Sequence, residues 1–378
     1  MHTSDIVVIG AGIAGSSAAA ELAADARVTL LEMEAQPGYH ATGRSAAYFA
    51  PSYGHPIVRE LAACSAPMFR KPPPEFTDVE LFRPRDYVMF GRADQAESLR
   101  REQEAESGLE WLDADDVQAL VPVFADGYLH GALRDRRGGD LDVDALLQGY
   151  LKTFRRRGGL LLGERRATAL EWRGGAWRVD AGGERFEAPV LVNAAGAWVE
   201  QVAALAGLPP LGISPLRRTA LTIEPPAGVC VADWPEMFDV DEEFYFKPDA
   251  GLILISPADE TPSEPCDAQP EEWDVAMGVH RFEQATGLDI RHVRHRWAGL
   301  RTFAPDRLPV LGEDPRAEGF FWLAGQGGYG VMTAPAAAAL TRRLVTGAPL
   351  ENEFADLGSL EGDLAPERLI TRKRGNRP

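Results

Sequence analysis

The chain has 378 residues and a formal net charge of −18, from 57 acids against 39 Lys and Arg residues. That length calls for about two domains or one large α/β enzyme, and 45% hydrophobic with 25% charged residues excludes global disorder. The acidic balance excludes nucleic acid and anionic membrane surfaces as general partners, since both need a basic footprint. Lysine stands only at Lys71, Lys152, Lys247 and Lys373, so nearly every cation is an arginine.

Asp5 to Ile9 is a short β-branched run that suits a buried parallel strand. Gly10-Ala11-Gly12-Ile13-Ala14-Gly15 follows at once, Ser16 to Ala24 reads as a small-residue helix, and Arg27 to Glu32 as a second strand ending in an acid. This is a Rossmann-type βαβ unit. The first glycine permits the turn, the second lets backbone approach a pyrophosphate, and the third lets helix and strand pack closely. The helix end points free N–H groups and its positive dipole end at the phosphates. Glu32, followed by Met33, stands where an acid accepts hydrogen bonds from a ribose.

Gly43-Arg44-Ser45 adds flexible backbone, a cation and a hydroxyl soon after that acid, which suits FAD better than NAD. The stretch from Pro51 to Gly139 looks like an insertion outside the nucleotide sheet, with acidic helical patterns near Ala93–Ser107 and from Asp113. Asp142–Arg157 reads as an amphipathic helix ended by Gly158-Gly159. Short strands with Gly-Gly turns follow, then the buried strand at Val190–Asn193, ending in Ala194-Ala195-Gly196. From Leu208 to Asp289 the pattern is mostly β, with a helix near Glu271–Thr286. Phe320–Ala324 is a late strand, and Gly325-Gln326-Gly327-Gly328-Tyr329-Gly330 repeats the strand–glycine–helix grammar before an alanine-rich helix to Val345. A helix end there would sit against a flavin ring.

The expected fold class is therefore α/β (α+β), two interleaved domains. Segments 1–50, 140–205 and 290–365 build the FAD-binding domain, 51–139 and 206–289 a β-rich substrate-binding domain, and 366–378 a loose basic tail. Cys64, Cys230 and Cys266 form no CxxC motif, so neither a disulfide framework nor a metal site is expected. No apolar run approaches the ~20 residues that span a bilayer. No leader is expected ahead of the first strand, and the expected location is cytoplasmic.

GAGIAG with Glu32, Gly38 through Ala47, Val192-Asn193-Ala194-Ala195-Gly196-Ala197-Trp198 and Trp297-Ala298-Gly299-Leu300-Arg301 together resemble the FAD-dependent D-amino-acid oxidase/dehydrogenase superfamily. Phe244 through Gly251 and Gln326-Gly327-Gly328-Tyr329-Gly330 bring the resemblance nearer to the bacterial D-arginine dehydrogenases. The resemblance covers all but the tail. It implies a noncovalent FAD and oxidation of the Cα–N bond of a D-amino acid by hydride transfer to flavin N5. The imino acid then hydrolyses to a 2-oxo acid and ammonia, and electrons pass to a quinone or to oxygen. It implies that Arg218 and Arg301 clamp the substrate carboxylate, which suits arginine's planar fork, and that Tyr53 and Tyr245 hydrogen-bond the substrate.

Two departures from that pattern matter. Tyr87 stands where the D-arginine enzymes carry an acid for the basic substrate end, although Asp86 is adjacent. Tyr48 and Ala50 replace a histidine and a threonine, and Phe238 replaces a smaller apolar residue. A cationic substrate end buried without a partner is costly, so the expected substrate is a neutral, apolar or aromatic D-amino acid. The alternatives are a glycine- or sarcosine-type amine oxidase using oxygen, a 2-hydroxy acid dehydrogenase, and a flavoprotein scaffold subunit. A monomer is compatible with the sequence, and no partner beyond substrate and electron acceptor is expected.

Overall fold

The computed structural model describes residues 1–370. Its first sheet has six strands in the order Leu160–Leu162, Val28–Leu31, Ile6–Ile9, Val190–Asn193, Phe320–Ala324 and Val310–Glu313. All pairs are parallel except the last. Its central strands are mostly apolar and buried because both faces are covered. Ile6, Val8 and Leu30 pack into one apolar cluster with helices Ile13–Leu22, Val143–Arg156 and Ala334–Thr346. Val7, Ile9 and Leu31 point the other way, onto Trp177, Val179 and Phe186. Those three belong to a four-stranded sheet of His2–Thr3, Glu184–Ala188, Ala176–Ala181 and Ala167–Arg173. The alternation along each strand sorts the side chains between the two layers.

The second large sheet has nine strands. Its path runs Thr261–Pro262, Ser214–Ile223, Leu252–Ser256, Tyr245–Asp249, Glu236–Asp239, Tyr87–Gly91, Gly131–Asp135 and Glu110–Asp113, and His295–Phe303 pairs with Ser214–Ile223 off that path. One face carries Met237, Phe246, Ile253 and Ile255 against Val275 and Phe282 of helix Glu272–Thr286. The other carries Tyr87, Met89, Phe238 and Tyr245, joined by Tyr48, Ala50 and Tyr53.

The segment boundaries differ from those expected at three places. His295–Phe303 lies in the nine-stranded sheet, since its register with Ser214–Ile223 runs from Phe303 to His295 without a break. Helix Pro56–Arg70 joins the core of the first sheet, because Val58, Leu61, Ala62 and Phe69 form an apolar stripe buried in the same cluster as Ile13–Leu22. The beginning of the expected tail is anchored: Leu369 is 3% exposed, and Arg368 pairs with Asp306 at 3.0 Å and donates to the Leu308 and Pro309 carbonyls. The rest of that tail, 371–378, lies outside the described residues.

Candidate active site

The glycine turn is built as its sequence demands. Gly10 has φ +100°, and a Cβ there would lie 2.5 Å from the Ala194 carbonyl oxygen. A Cβ on Gly15 would lie 1.8 Å from the Gly10 carbonyl oxygen, so this glycine exists for packing. Gly12 is the N-cap of helix Ile13–Leu22 and brings no side chain to cover its free N–H groups. The Ile13 N–H donates to Thr42 Oγ1 at 3.0 Å. Glu32 is 6% exposed and holds the turn from the side, accepting from Ala11 N at 2.7 Å and Glu34 N at 3.0 Å. Burial raises its pKa, and those two N–H donors oppose the rise.

A cavity of about 470 Å³ runs from this turn to the nine-stranded sheet. Gly10, Gly12, Ile13, Ala14, Glu32 and Met33 line its first end. Ser45, Ala195, Gly196 and Trp198 line its middle, where Asn193 fixes the turn by donating to the Val199 carbonyl at 2.8 Å. Gly299, Gly327, Gly328 and Gly330 line the far part with Arg218, Tyr245 and Arg301. An elongated cradle with bare backbone and a helix N-terminus at one side and two arginines at the other fits a dinucleotide flavin and an anionic substrate.

Arg218 and Arg301 come from adjacent antiparallel strands, Arg218 opposite Gly299 and Arg301 opposite Leu216. Arg218 is 6% exposed. It donates from Nε to the Asp259 carbonyl at 2.8 Å and from Nη2 to Glu260 at 3.1 Å, while its Nη1 is buried without a partner. Burial, then repulsion from Arg301, lowers its pKa. The Arg301 guanidinium makes no hydrogen bond or ion pair with another described residue. An ion pair with Asp306 would have been its structural explanation, but Asp306 serves Arg368. A Cβ on Gly328 would come within 2.7 Å of Arg301 Nη1, so a glycine keeps room for the guanidinium. Two adjacent cations with open donors in one cavity make an anion site. Arg217, by strand alternation, points away to Glu271 and Asp274 at 2.5 and 3.0 Å.

Several expected residues stand elsewhere. Arg44 touches the cavity, but its guanidinium donates to the Ala268 and Ala298 carbonyls at 2.9 and 3.0 Å and pairs with Asp267. Those bonds clasp a loop. Gly43 does not line the cavity: its N–H donates to the Gly38 carbonyl at 2.8 Å, and Cβ space is closed there. Gly15 and Tyr329 are also outside the lining, Tyr329 because its ring is 8% exposed and packs on Tyr53 at 5.4 Å.

Tyr48, Tyr53, Tyr87 and Phe238 do not line the cavity either. They form an aromatic cluster continuous with Tyr245, as their rings prefer one another to water. Phe238 stacks on Tyr245 at 5.7 Å and meets Tyr53 at 5.1 Å and Tyr87 at 5.7 Å; Tyr48 lies 6.1 Å from Tyr87. Burial raises the pKa of Tyr48, Tyr53 and Tyr87 well above 10, so all three stay neutral phenols. Tyr53 donates to Glu242 at 3.1 Å. Asp86 is not a displaced specificity acid, because Arg134 holds it through Nε at 2.6 Å.

Sequence reasoning missed Thr42 and Glu236. Thr42 is visible only once the loop folds over the helix start. Glu236 sits two residues before Phe238 on the same face, 5% exposed, with Oε2 unpartnered. Burial pushes its carboxyl up to about 8.

Among the described residues no group of three or more His, Cys, Asp or Glu side chains is placed to hold a metal ion, and no helix is long and apolar enough to cross a membrane. The glycine oxidase of Bacillus licheniformis is 24% identical to this chain over 379 residues, covering 96% of this chain and 99% of the relative. The crystal structure of glycine oxidase from Geobacillus kaustophilus superimposes with a TM-score of 0.81 at 23% identity, covering 91% and 95% of the two chains. That of L-proline dehydrogenase from P. horikoshii gives 0.80 at 20% identity, covering 96% and 99%. The model of the DAO family, FAD dependent oxidoreductase, matches residues 5–344, so the chain belongs to that FAD-dependent family.

Proposed function

We propose that the chain is an FAD-dependent dehydrogenase that oxidises the Cα–N bond of a D-amino acid with a neutral side chain, the flavin being held noncovalently. The observation that carries this reading is the pair Arg218 and Arg301 lining the cavity that begins at the Gly10–Gly15 turn, with Arg218 Nη1 buried and unpartnered. Their forks suit a carboxylate, and Tyr245 lines the same part of the cavity. Holding that carboxylate fixes Cα relative to the cofactor, which is how proximity enters the rate. The flavin supplies the two-electron acceptor for the Cα hydride. The released imine adds water and loses ammonia to give a 2-oxo acid.

A second reading keeps the cofactor and changes the substrate: a glycine- or sarcosine-type amine oxidase passing electrons to oxygen. The near full-length likeness to a glycine oxidase favours it, as does the aromatic cluster that fills the space beside Tyr245. Anaerobic addition of a D-amino acid mixture, then glycine and sarcosine, then the L-mixture, separates these readings by flavin bleaching. Bleaching by the D-mixture with ammonia formed supports the first. Bleaching by glycine or sarcosine alone, with hydrogen peroxide in air, replaces it with the second. A 2-oxo acid without ammonia would assign a 2-hydroxy acid dehydrogenase.

A further inference from the structure

We propose that Glu260, anchored by Arg307, is a positioning residue for the arginine pair: it holds one edge of the Arg218 guanidinium and ties that head group to the end of the strand that carries Arg301. This rests on the amino-acid reading above, in which the two arginines receive the substrate carboxylate.

The strand register puts Glu260 where it can act. Thr261 and Pro262 pair with Arg217 and Leu216 in antiparallel register. One step further along that register brings Glu260 beside Arg218 and Asp259 beside Thr219. The contacts agree with this placement. Asp259 accepts from Thr219 N at 2.6 Å and from the Thr219 hydroxyl at 3.0 Å. Glu260 Oε1 accepts from Arg218 Nη2 at 3.1 Å, and the Asp259 carbonyl accepts from Arg218 Nε at 2.8 Å.

Nε and Nη2 form one edge of the planar guanidinium, whose donors have a fixed geometry. Residues 259 and 260 occupy that edge, and Nη1 is the nitrogen left without a partner. An arginine side chain has many rotamers to lose, and repulsion from Arg301 acts on this one. Holding the occupied edge therefore sets the direction in which the remaining donor points.

Glu260 is held in turn. Arg307 donates to it from Nη1 at 3.0 Å and from Nη2 at 2.8 Å, a bidentate pair. The Arg307 guanidinium carbon lies 3.9 Å from the centre of the Phe303 ring, and the Arg307 N–H donates to the Ala304 carbonyl at 2.8 Å. Phe303 ends the strand that carries Arg301. Burial opposes ionisation of Glu260, but the hydrogen bonds from Arg307 and the charges of Arg307, Arg218 and Arg301 outweigh it and hold the carboxyl below the usual glutamate range. The anchor is therefore an anion at neutral pH.

A positioning role has a sign that other roles lack. A negative charge acting only through space would oppose a substrate carboxylate, so removing it would tighten binding. A surface ion pair of no further consequence would leave carboxylate binding unchanged.

The test titrates 4-methylpentanoate, an achiral carboxylate without an amine, against the flavin absorbance of the flavin-loaded protein, with Tm measured alongside. Glu260→Asp keeps the charge and loses the reach. Glu260→Gln loses the charge and keeps the reach, with its Oε1 still able to accept from Arg218. Glu260→Asp is expected to weaken binding about tenfold, the scale on which the hydrogen-bonded partner of a binding side chain acts. Glu260→Gln should retain most of the wild-type affinity. Unchanged binding in Glu260→Asp whatever its Tm, an equal loss in both variants, tighter binding in both, or no binding to the wild type overturns the inference. A loss in Glu260→Asp that Glu260→Gln restores, with no flavin reduction by any D-amino acid, sustains the positioning role and sinks the D-amino-acid reading alone.

Discussion

The two ends of the cavity are made of different material. At the glycine turn the backbone does the work: Gly10 and Gly15 have no room for a Cβ, and the helix start is capped by a residue without a side chain. At the other end the surface is made by long side chains, Arg218, Tyr245 and Arg301, projecting from three strands of one wide sheet. A backbone site tolerates little change in its own residues yet fits a ligand that many proteins share. A side-chain site can exchange residues one at a time, so specificity is expected to sit there.

The largest expected effect follows from the backbone end. Gly15→Ala must displace the Gly10 carbonyl, since its Cβ would lie 1.8 Å from that oxygen. We expect the purified variant to be colourless or insoluble, read by its visible spectrum. A yellow protein with ordinary flavin content would break the comparison.

At the side-chain end, Arg301→Lys should leave flavin content intact. It should lower kcat/KM about 10³-fold, because a point charge replaces a fork that makes two charge-assisted bonds. Loss of flavin in this variant would mean that the two ends are not separable. Arg44→Met is expected to be milder. The clasp on Asp267 and the 268 and 298 carbonyls is lost, so Tm should fall while the flavin stays bound. If flavin affinity dropped at least tenfold with Tm unchanged, Arg44 would belong to the cofactor site after all.

The smallest effect concerns pH. The Glu236 carboxyl is raised from 4.5 to about 8 in the folded protein. Between those values the unfolded chain is ionised and the folded one protonated, so folding takes up a proton. The contribution of this group is therefore most favourable below pH 4.5 and declines as pH rises to about 8. Tm measured from pH 5 to pH 8 should fall more steeply for the wild type than for Glu236→Gln; parallel curves would show that Glu236 is not buried as a neutral acid.

The nucleotide half was legible in the sequence because its information is local. A β-branched run, three spaced glycines and an acid at the next strand end lie within about 30 residues, and each states its backbone conformation directly. Helices such as Val143–Arg156, with Asp142 accepting from Ala145 N at 2.8 Å, were readable for the same reason. The clasp that Arg44 makes was not legible, because a cation in a glycine loop says nothing of its acceptors, which come from 267, 268 and 298. Tyr48, Tyr53 and Tyr87 were misplaced because whether an aromatic ring faces a cavity or another ring depends on strands distant in sequence.

The sequence by itself determined the nucleotide turn, the acid beside it and the division into a parallel α/β part and a β-rich part, since these follow from short-range sterics and periodicity. Only the tertiary structure decided that the Arg301 guanidinium is left without a partner among the described residues while Asp306 serves Arg368, that Arg217 and Arg218 face opposite ways, and that Glu236 stands open against Tyr87. Those outcomes depend on which side chains compete for the same donors and acceptors in three dimensions, and strand pairing across a hundred or more residues settles that competition.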